Sequence, residues 1–196
     1  MFSHFSIGRK ISLGFAIIIL STIVGFYITN DTFIESRNIN EEITNNQNPS
    51  IAKLEELKLL IVRSKMLINN WAYQATPAEN EDKVALNELT LTEYPNLKIK
   101  VEALAASWED SSQVTMNELY GGIEDLWGLH DFVKTLLGGI ESYNEPSNTI
   151  LAQSMIEQNG DIDVQTDYII EELNRLIDVK KSRTQDITGE MLDQFE

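Results

Sequence analysis

Residues 48–74 read NPSIAKLEELKLLIVRSKMLINNWAYQ. Here Leu54, Leu57, Ile61, Ser64, Ile68, Trp71 and, one residue further on, Ala75 follow one another in steps of three and four. Side chains at that spacing share one face of an α-helix, because a turn takes 3.6 residues; a strand would alternate with period two. The charged residues Glu55, Glu56, Lys58, Arg63 and Lys65 fall between the members of the seam. The stretch is therefore an amphipathic helix, and its apolar stripe needs partners of the same kind.

Three further seams supply them. Tyr94, Leu97, Val101, Leu104 and Trp108 form the second. Met116, Leu119, Ile123, Leu126, His130, Val133, Leu137 and Ile140 form the third, and Ile170, Leu173, Ile177, Lys180, Thr184, Ile187 and Met191 the fourth. Polar or Pro-containing breaks separate them at Thr76-Pro77, at 109–112 and at 144–148. The pattern predicts an all-α fold: an antiparallel, up-down-up-down four-helix bundle with helices over about 29–75, 78–108, 113–143 and 147–196, crossing at about 20°. Helices one and four are long, two and three shorter. Pro49 and Pro95 fall inside predicted helices and should kink or interrupt them. The pairs Gly121-Gly122 and Gly138-Gly139 weaken the third helix, and Asn159-Gly160-Asp161 loosens the fourth. Lys180 and Thr184 on the fourth seam, and the Asn-rich patch 38–48 on the first helix, predict weaker packing in that half of the bundle.

Upstream, Ile11 to Ile28 read ISLGFAIIILSTIVGFYI, eighteen residues without a charge, directly after Arg9-Lys10. A run of about 18 apolar residues is long enough to cross a hydrocarbon core as a helix. It exceeds the roughly 7–15 residues of a signal-peptide core and ends in Gly25-Phe26-Tyr27-Ile28 without a small-residue cleavage site, which favours an uncleaved anchor over a signal peptide. The positive flank assigns residues 1–10 to a cytoplasmic leader, 11–28 to a single transmembrane helix and 29–196 to an extracytoplasmic domain. At 1.5 Å per residue the first helix reaches roughly 70 Å from the membrane and the fourth returns as far. The expectation is therefore a chain that continues beyond Glu196 into a second span, the front part of a longer receptor.

Composition narrows the function. All 31 acidic residues follow Asn30, against 13 of the 15 basic ones, which leaves a net charge of −18 on residues 31–196. So acidic a surface repels phosphate backbones and excludes nucleic acid as a partner. The absence of cysteine excludes disulfides and thiolate chemistry. No cofactor or metal is expected. His130 is the one histidine of the predicted external domain, and Trp127 stands where a Glu-x-x-His metal motif would need its carboxylate. No nucleophile elbow of the G-x-S-x-G kind occurs, so no catalytic constellation is expected. His130 reads as a core histidine with a satisfied hydrogen bond, with pH sensing as the other reading.

The basic start and anchor SIGRKISLGFAIIIL, the long first helix of residues 48–74 and the segment EYPNLKIKVEALAASWED (93–110) resemble the N-terminal four-helix-bundle sensor modules of bacterial transmembrane receptors, that is, of methyl-accepting chemotaxis proteins and sensor histidine kinases. The resemblance covers essentially the whole chain. It implies a homodimer in the bacterial inner membrane, its bundle periplasmic, with a small molecule or a periplasmic protein as ligand. It also implies ligand capture by the membrane-distal part of helix one, where Arg63, Lys65, Asn69, Asn70 and Tyr73 lie. One arginine there, rather than several, departs from the amino-acid receptors of that class. Trp71 and Trp108 sit on seams as core anchors, whereas Tyr73 and Trp127 fall off them. The other reading is a membrane-tethered helical scaffold that binds a protein through its acidic face and takes no small ligand.

Overall fold

The computed structural model describes residues 7–193, apart from the side chains of residues 9 and 10. Most of the predicted leader and the last three residues of the predicted fourth helix thus lie outside the described residues. Among the described residues the regular structure is helical and no strand occurs, so the fold is all-α. The elements are α1 (Ile7–Glu42), a π-helical turn (Ile43–Gln47), α2 (Asn48–Tyr73), α3 (Glu81–Glu88), a second π turn (Leu89–Glu93), α4 (Tyr94–Ala105), α5 (Asp110–Leu136), a 3₁₀ turn (Ile140–Asn144), α6 (Pro146–Ile156) and α7 (Asp161–Asp193). The chain divides into two compact units. One falls within Met1–Thr44 and Thr184–Glu196, the other is Asn45–Arg183.

In the first unit the apolar run is a helix whose side chains are not covered: none of its 18-residue window is buried, at a mean hydropathy of 2.3. Two of its polar side chains are satisfied locally. The hydroxyls of Ser21 and Thr22 donate to the carbonyl oxygens of Ile17 and Ile18 at 2.8 and 2.9 Å. By length and composition this helix is able to cross a membrane.

In the second unit the predicted seams, as far as they fall within it, become one core; Thr184, Ile187 and Met191 of the fourth seam belong to the other unit, and Ile170 is only partly buried, Ile169 taking its place. Leu54, Leu57, Ile61 and Ile68 of α2 are buried with Leu97 and Val101 of α4, Met116, Leu119, Ile123, Leu126 and Val133 of α5, and Ile169 and Leu173 of α7. Ala75 and Ile140, the last members of their seams, are exposed because their helices have already ended. Cross-helix pairs tie α2 to α7 at Glu55–Lys181, Lys58–Asn174 and Lys65–Asp163, so partner numbers fall along α7 as they rise along α2.

The helix breaks differ from expectation in instructive ways. Pro49 and Pro95 cause no interruption. Each stands two residues after a π turn. Proline has no N–H to donate and its ring crowds the carbonyl four residues back, here Asn45 and Leu91; the widened turn absorbs both defects. The third helix stops at Leu136 rather than about 143, where Gly138-Gly139 removes helix propensity and a 3₁₀ turn takes over. The fourth is two helices, because residues 157–160 form a turn in which Asn159 adopts φ 67°. Gly160 is obligatory there: a Cβ would lie 2.4 Å from the backbone oxygen of Ser154. Gly122 serves close approach instead, its carbonyl accepting from Gln165 Nε2 at 2.9 Å on α7.

Candidate functional site

The five residues of the expected ligand site all lie on α2, but the helix turns them toward different neighbours. Arg63 faces α3 and α4. Its two terminal nitrogens grip both carboxylate oxygens of Glu93, the last residue of the second π turn, at 2.7 and 2.9 Å. Lys65 is 200° further round and faces α7, where it bridges Asp163 at 2.6 Å and Asp167 at 3.0 Å. Burial pulls the Lys65 pKa down, but the hydrogen bonds and charges of the two aspartates outweigh it and the net shift is upward. The Asp163 carboxyl is held below its ordinary value by the hydrogen bond from Lys65, then by the backbone N–H of Asn159. Asn70 donates to Asp82 of α3 at 2.9 Å, and the exposed Tyr73 donates to Glu157 at 3.3 Å. Asn69 stays at the surface and shares a shallow depression with Val62, Lys65, Met66 and Ile156. So Lys65 and Asn69 come together, while Arg63, Asn70 and Tyr73 are each elsewhere.

Arg63 belongs to a different hollow, a groove of about 380 Å³ between α2 and α4. Leu59, Leu60 and Leu97 line it with apolar surface, and Glu56, Arg63, Glu93, Asn96 and Lys100 with polar groups. Glu93, Asn96 and Lys100 were not expected as site residues. They lie off the second seam, and nothing in the linear sequence says that α4 is the neighbour that Arg63 faces.

Two buried lysines of the second unit each pack against a tryptophan. Lys83 of α3 is almost fully buried, its ammonium 4.9 Å from the Trp71 ring and 5.0 Å from the Tyr143 ring, and it donates to the Thr76 carbonyl at 2.7 Å. Trp71 Nε1 donates to the Leu137 carbonyl, and Tyr143 donates its hydroxyl to the Trp71 carbonyl. Trp108 Nε1 donates to Ser50 Oγ at 2.9 Å and the Lys180 ammonium sits 4.6 Å above the same ring. Burial lowers both lysine pKa values. Both tryptophans are therefore core anchors, as their seam positions suggest. Lys180, expected to loosen the fourth seam, is instead packed into it, its aliphatic stem covered and its charge over an aromatic face.

His130 is fully buried, as its seam position predicts, but the expected hydrogen bond is missing: neither ring nitrogen has a hydrogen-bond partner among the described residues. Among the described residues the hydroxyl of Tyr94 and Nε1 of Trp127 are likewise without a partner, in a row of rings that meet edge-on and tilted, with centroids 5.4 Å (Tyr94–Trp127) and 5.3 Å (Trp127–His130) apart. Burial, and secondarily the Lys134 charge, push the His130 pKa down to about 3. Among the described residues no cluster of three or more His, Cys, Asp or Glu side chains is arranged to hold a metal.

Comparison with known proteins adds no neighbour: no family model, no curated protein and no solved structure matches this chain.

Proposed function

We propose that this chain is the extracytoplasmic sensor region, with its membrane anchor, of a bacterial transmembrane signal-transduction receptor. The observation that carries the reading is the contrast in one chain between an 18-residue apolar helix with no burial and an acidic helical unit with a complete core. The first needs lipid around it; the second is built for water. The opposed numbering of the α2–α7 pairs supports an antiparallel four-helix bundle of α2, α3–α4, α5 and α6–α7.

Signalling in this reading is a population shift between two packings of α7 against α2, biased by a ligand that prefers one of them. The cross-helix ties suit that role, since they are exposed polar pairs that re-form at small cost. A second copy is expected along α2. There Leu59, Val62, Met66 and Tyr73, with Asn69 between them, repeat every three or four residues on an exposed face, the pattern of a helix seam that lacks its partner helix. The bundle faces the periplasm with the basic N-terminal flank in the cytoplasm. No catalysis and no cofactor are assigned to this region.

Paired cysteines at Lys58 and Asn174 test the proposal. Their disulfide cross-linking rate in membranes should change when the stimulus is present, and Met66→Cys should cross-link between copies. A Lys58–Asn174 rate that stays constant under every stimulus removes the basis for a sensor. It leaves the membrane-tethered scaffold, which the strong acidity of the unit favours.

A further inference from the structure

Between the last turn of α4 and the first half of α5 lies a small hollow of about 160 Å³. Its polar groups come from Glu102, Gln113 and Asn117, and Ala105, Ala106, Met116 and Tyr120 complete the wall. It is thus lined by one carboxylate and no cation. The Glu102 carboxylate has no hydrogen-bond or ion-pair partner among the described residues, and neither has the Asn117 side chain. Lys98, one turn earlier on α4, pairs instead with Glu124 at 3.1 Å, its ammonium 4.6 Å from the Tyr120 ring. Gln113 donates its side-chain NH2 to the Trp108 carbonyl at 2.8 Å, which leaves its amide oxygen as the group it offers. Glu102 stands where the carbonyls of α4 run out and the negative end of the helix dipole concentrates, and that last turn holds no basic residue. Burial, and after it the Glu102 charge, push the Tyr120 hydroxyl above its ordinary range, which sets carboxylate and ring in one electrostatic environment. The hollow is smaller than the roughly 300–1,000 Å³ of pockets for drug-sized ligands, so it suits a head group of a few heavy atoms. One carboxylate between apolar walls falls short of the six or so oxygen donors a hard divalent cation takes.

We propose that this hollow binds a small primary ammonium ligand. The three N–H donors of such a head group match three acceptors, the Glu102 carboxylate and the amide oxygens of Asn117 and Gln113. A short alkyl part lies against Ala105, Ala106 and Met116. A carboxylate is repelled by Glu102, a neutral alcohol forfeits the charge-assisted bond, and a quaternary ammonium has no N–H to give. Gln113 gives binding a consequence. It holds the carbonyl of Trp108, whose indole donates to Ser50 of α2 and carries Lys180 of α7 over its ring. A ligand on Gln113 therefore acts one residue away from a contact that α2 and α7 share.

The inference rests on the sensor reading and deepens it by naming a ligand class, and its test is separable from that reading. The full chain, in nanodiscs of zwitterionic lipid and with methionine methyl groups labelled for NMR, is titrated with propylammonium, tetramethylammonium, 1-propanol and propionate at physiological ionic strength. Met116 reports on the hollow, and Met66 and Met155 lie outside it. Propylammonium should shift the Met116 methyl saturably with an apparent Kd of about 10 mM or tighter and leave Met66 and Met155 in place. Tetramethylammonium and 1-propanol should bind roughly tenfold more weakly or not at all, and propionate not at all. Glu102→Gln, at an exposed position with no partner to lose, should weaken propylammonium about tenfold. Glu118→Gln removes an exposed carboxylate of α5 outside the hollow and should change it by less than about twofold, because salt screens such charges. No saturable Met116 shift, equal binding of propylammonium and 1-propanol or tetramethylammonium, or an equal loss in Glu118→Gln and Glu102→Gln would each overturn the assignment. If propylammonium fails while the Lys58–Asn174 cross-link still answers another stimulus, the hollow's assignment falls and the sensor stands. If propylammonium binds and the cross-link never responds, the reverse holds.

Discussion

Between Ile11 and Ile28, Phe15, Ile18 and Phe26 are 63 %, 61 % and 70 % exposed, whereas Leu54, Leu57, Ile61 and Ile68 on α2 are fully buried. Both sets are aliphatic or aromatic and both stand on helices, so neither composition nor secondary structure separates them. Distribution around the helix does. Apolar residues cover the whole circumference of 11–28, and no single neighbour can bury them all; on α2 they occupy one stripe, with charges opposite. An all-round apolar helix calls for an apolar solvent. A striped one calls for other striped helices, and α4, α5 and α7 bring theirs.

Substitutions break the comparison at its strongest point first. Ile61→Ala should cost the helical unit 45–183 about 2–5 kcal/mol in denaturant unfolding, through lost burial and the cavity left behind. The same change at Ile18 should leave unfolding of that unit within about 0.5 kcal/mol of the parent. A matching loss from Ile18→Ala would mean that the apolar helix packs as the core does. Ile18→Arg reverses the contrast: membrane insertion should weaken by about 2.5–3.5 kcal/mol, read as loss from the membrane fraction, with the melt of the helical unit 45–183 unchanged.

Within the buried set, Gly160→Ala should destabilise by about 1–3 kcal/mol, because its Cβ would meet the Ser154 backbone rather than a side chain able to move aside. His130 sharpens the comparison by pH. Its folded pKa, about 3, lies below the ordinary value of 6.5. Above about pH 6.5 the imidazole is neutral in both states. As pH falls from there toward 3, the unfolded chain takes up a proton that the native core refuses, and stability drops by at most about 1.4 kcal/mol per pH unit. His130→Leu should flatten that slope between pH 6.5 and 4.5 without loss at pH 7.5, since it replaces two buried nitrogens that have no partner among the described residues by an apolar side chain. Equal slopes in parent and variant would show that other groups carry the acid sensitivity. Smallest of all, Lys181→Ala should shift the unfolding midpoint by the equivalent of about 0.5 kcal/mol or less, because both partners of its pair with Glu55 are half exposed.

Periodicity made most of the core readable in advance. Of the first seam, the residues from Leu54 to Trp71 are buried as spaced, and Ala75 fails only because α2 stops at Tyr73. Helix ends were harder, since they turn on local defects whose outcome depends on surroundings. The prolines at 49 and 95 were visible, but their resolution into π turns was not. The glycines at 138–139 and the Asn159-Gly160 turn were visible as weak points, yet which would break the helix depended on what each backbone meets. The site was least readable. Arg63 and Lys65, two residues apart in sequence, answer to α4 and α7 respectively, and Asn96 and Lys100 acquire meaning only beside Leu59 and Arg63.

Local physics along the chain was therefore enough for the all-α class, for the apolar helix fit to cross a membrane, and for the side of each helix that is buried, because propensity, run length and period act between residues a few positions apart. Which helix faces which was beyond it. The clamp of Arg63 on Glu93, the burial of Lys83 and Lys180 against tryptophans, and the meeting of Tyr94 with Trp127 all join residues from different helices. Their energies arise from charge and desolvation at contacts that exist only once the helices have packed.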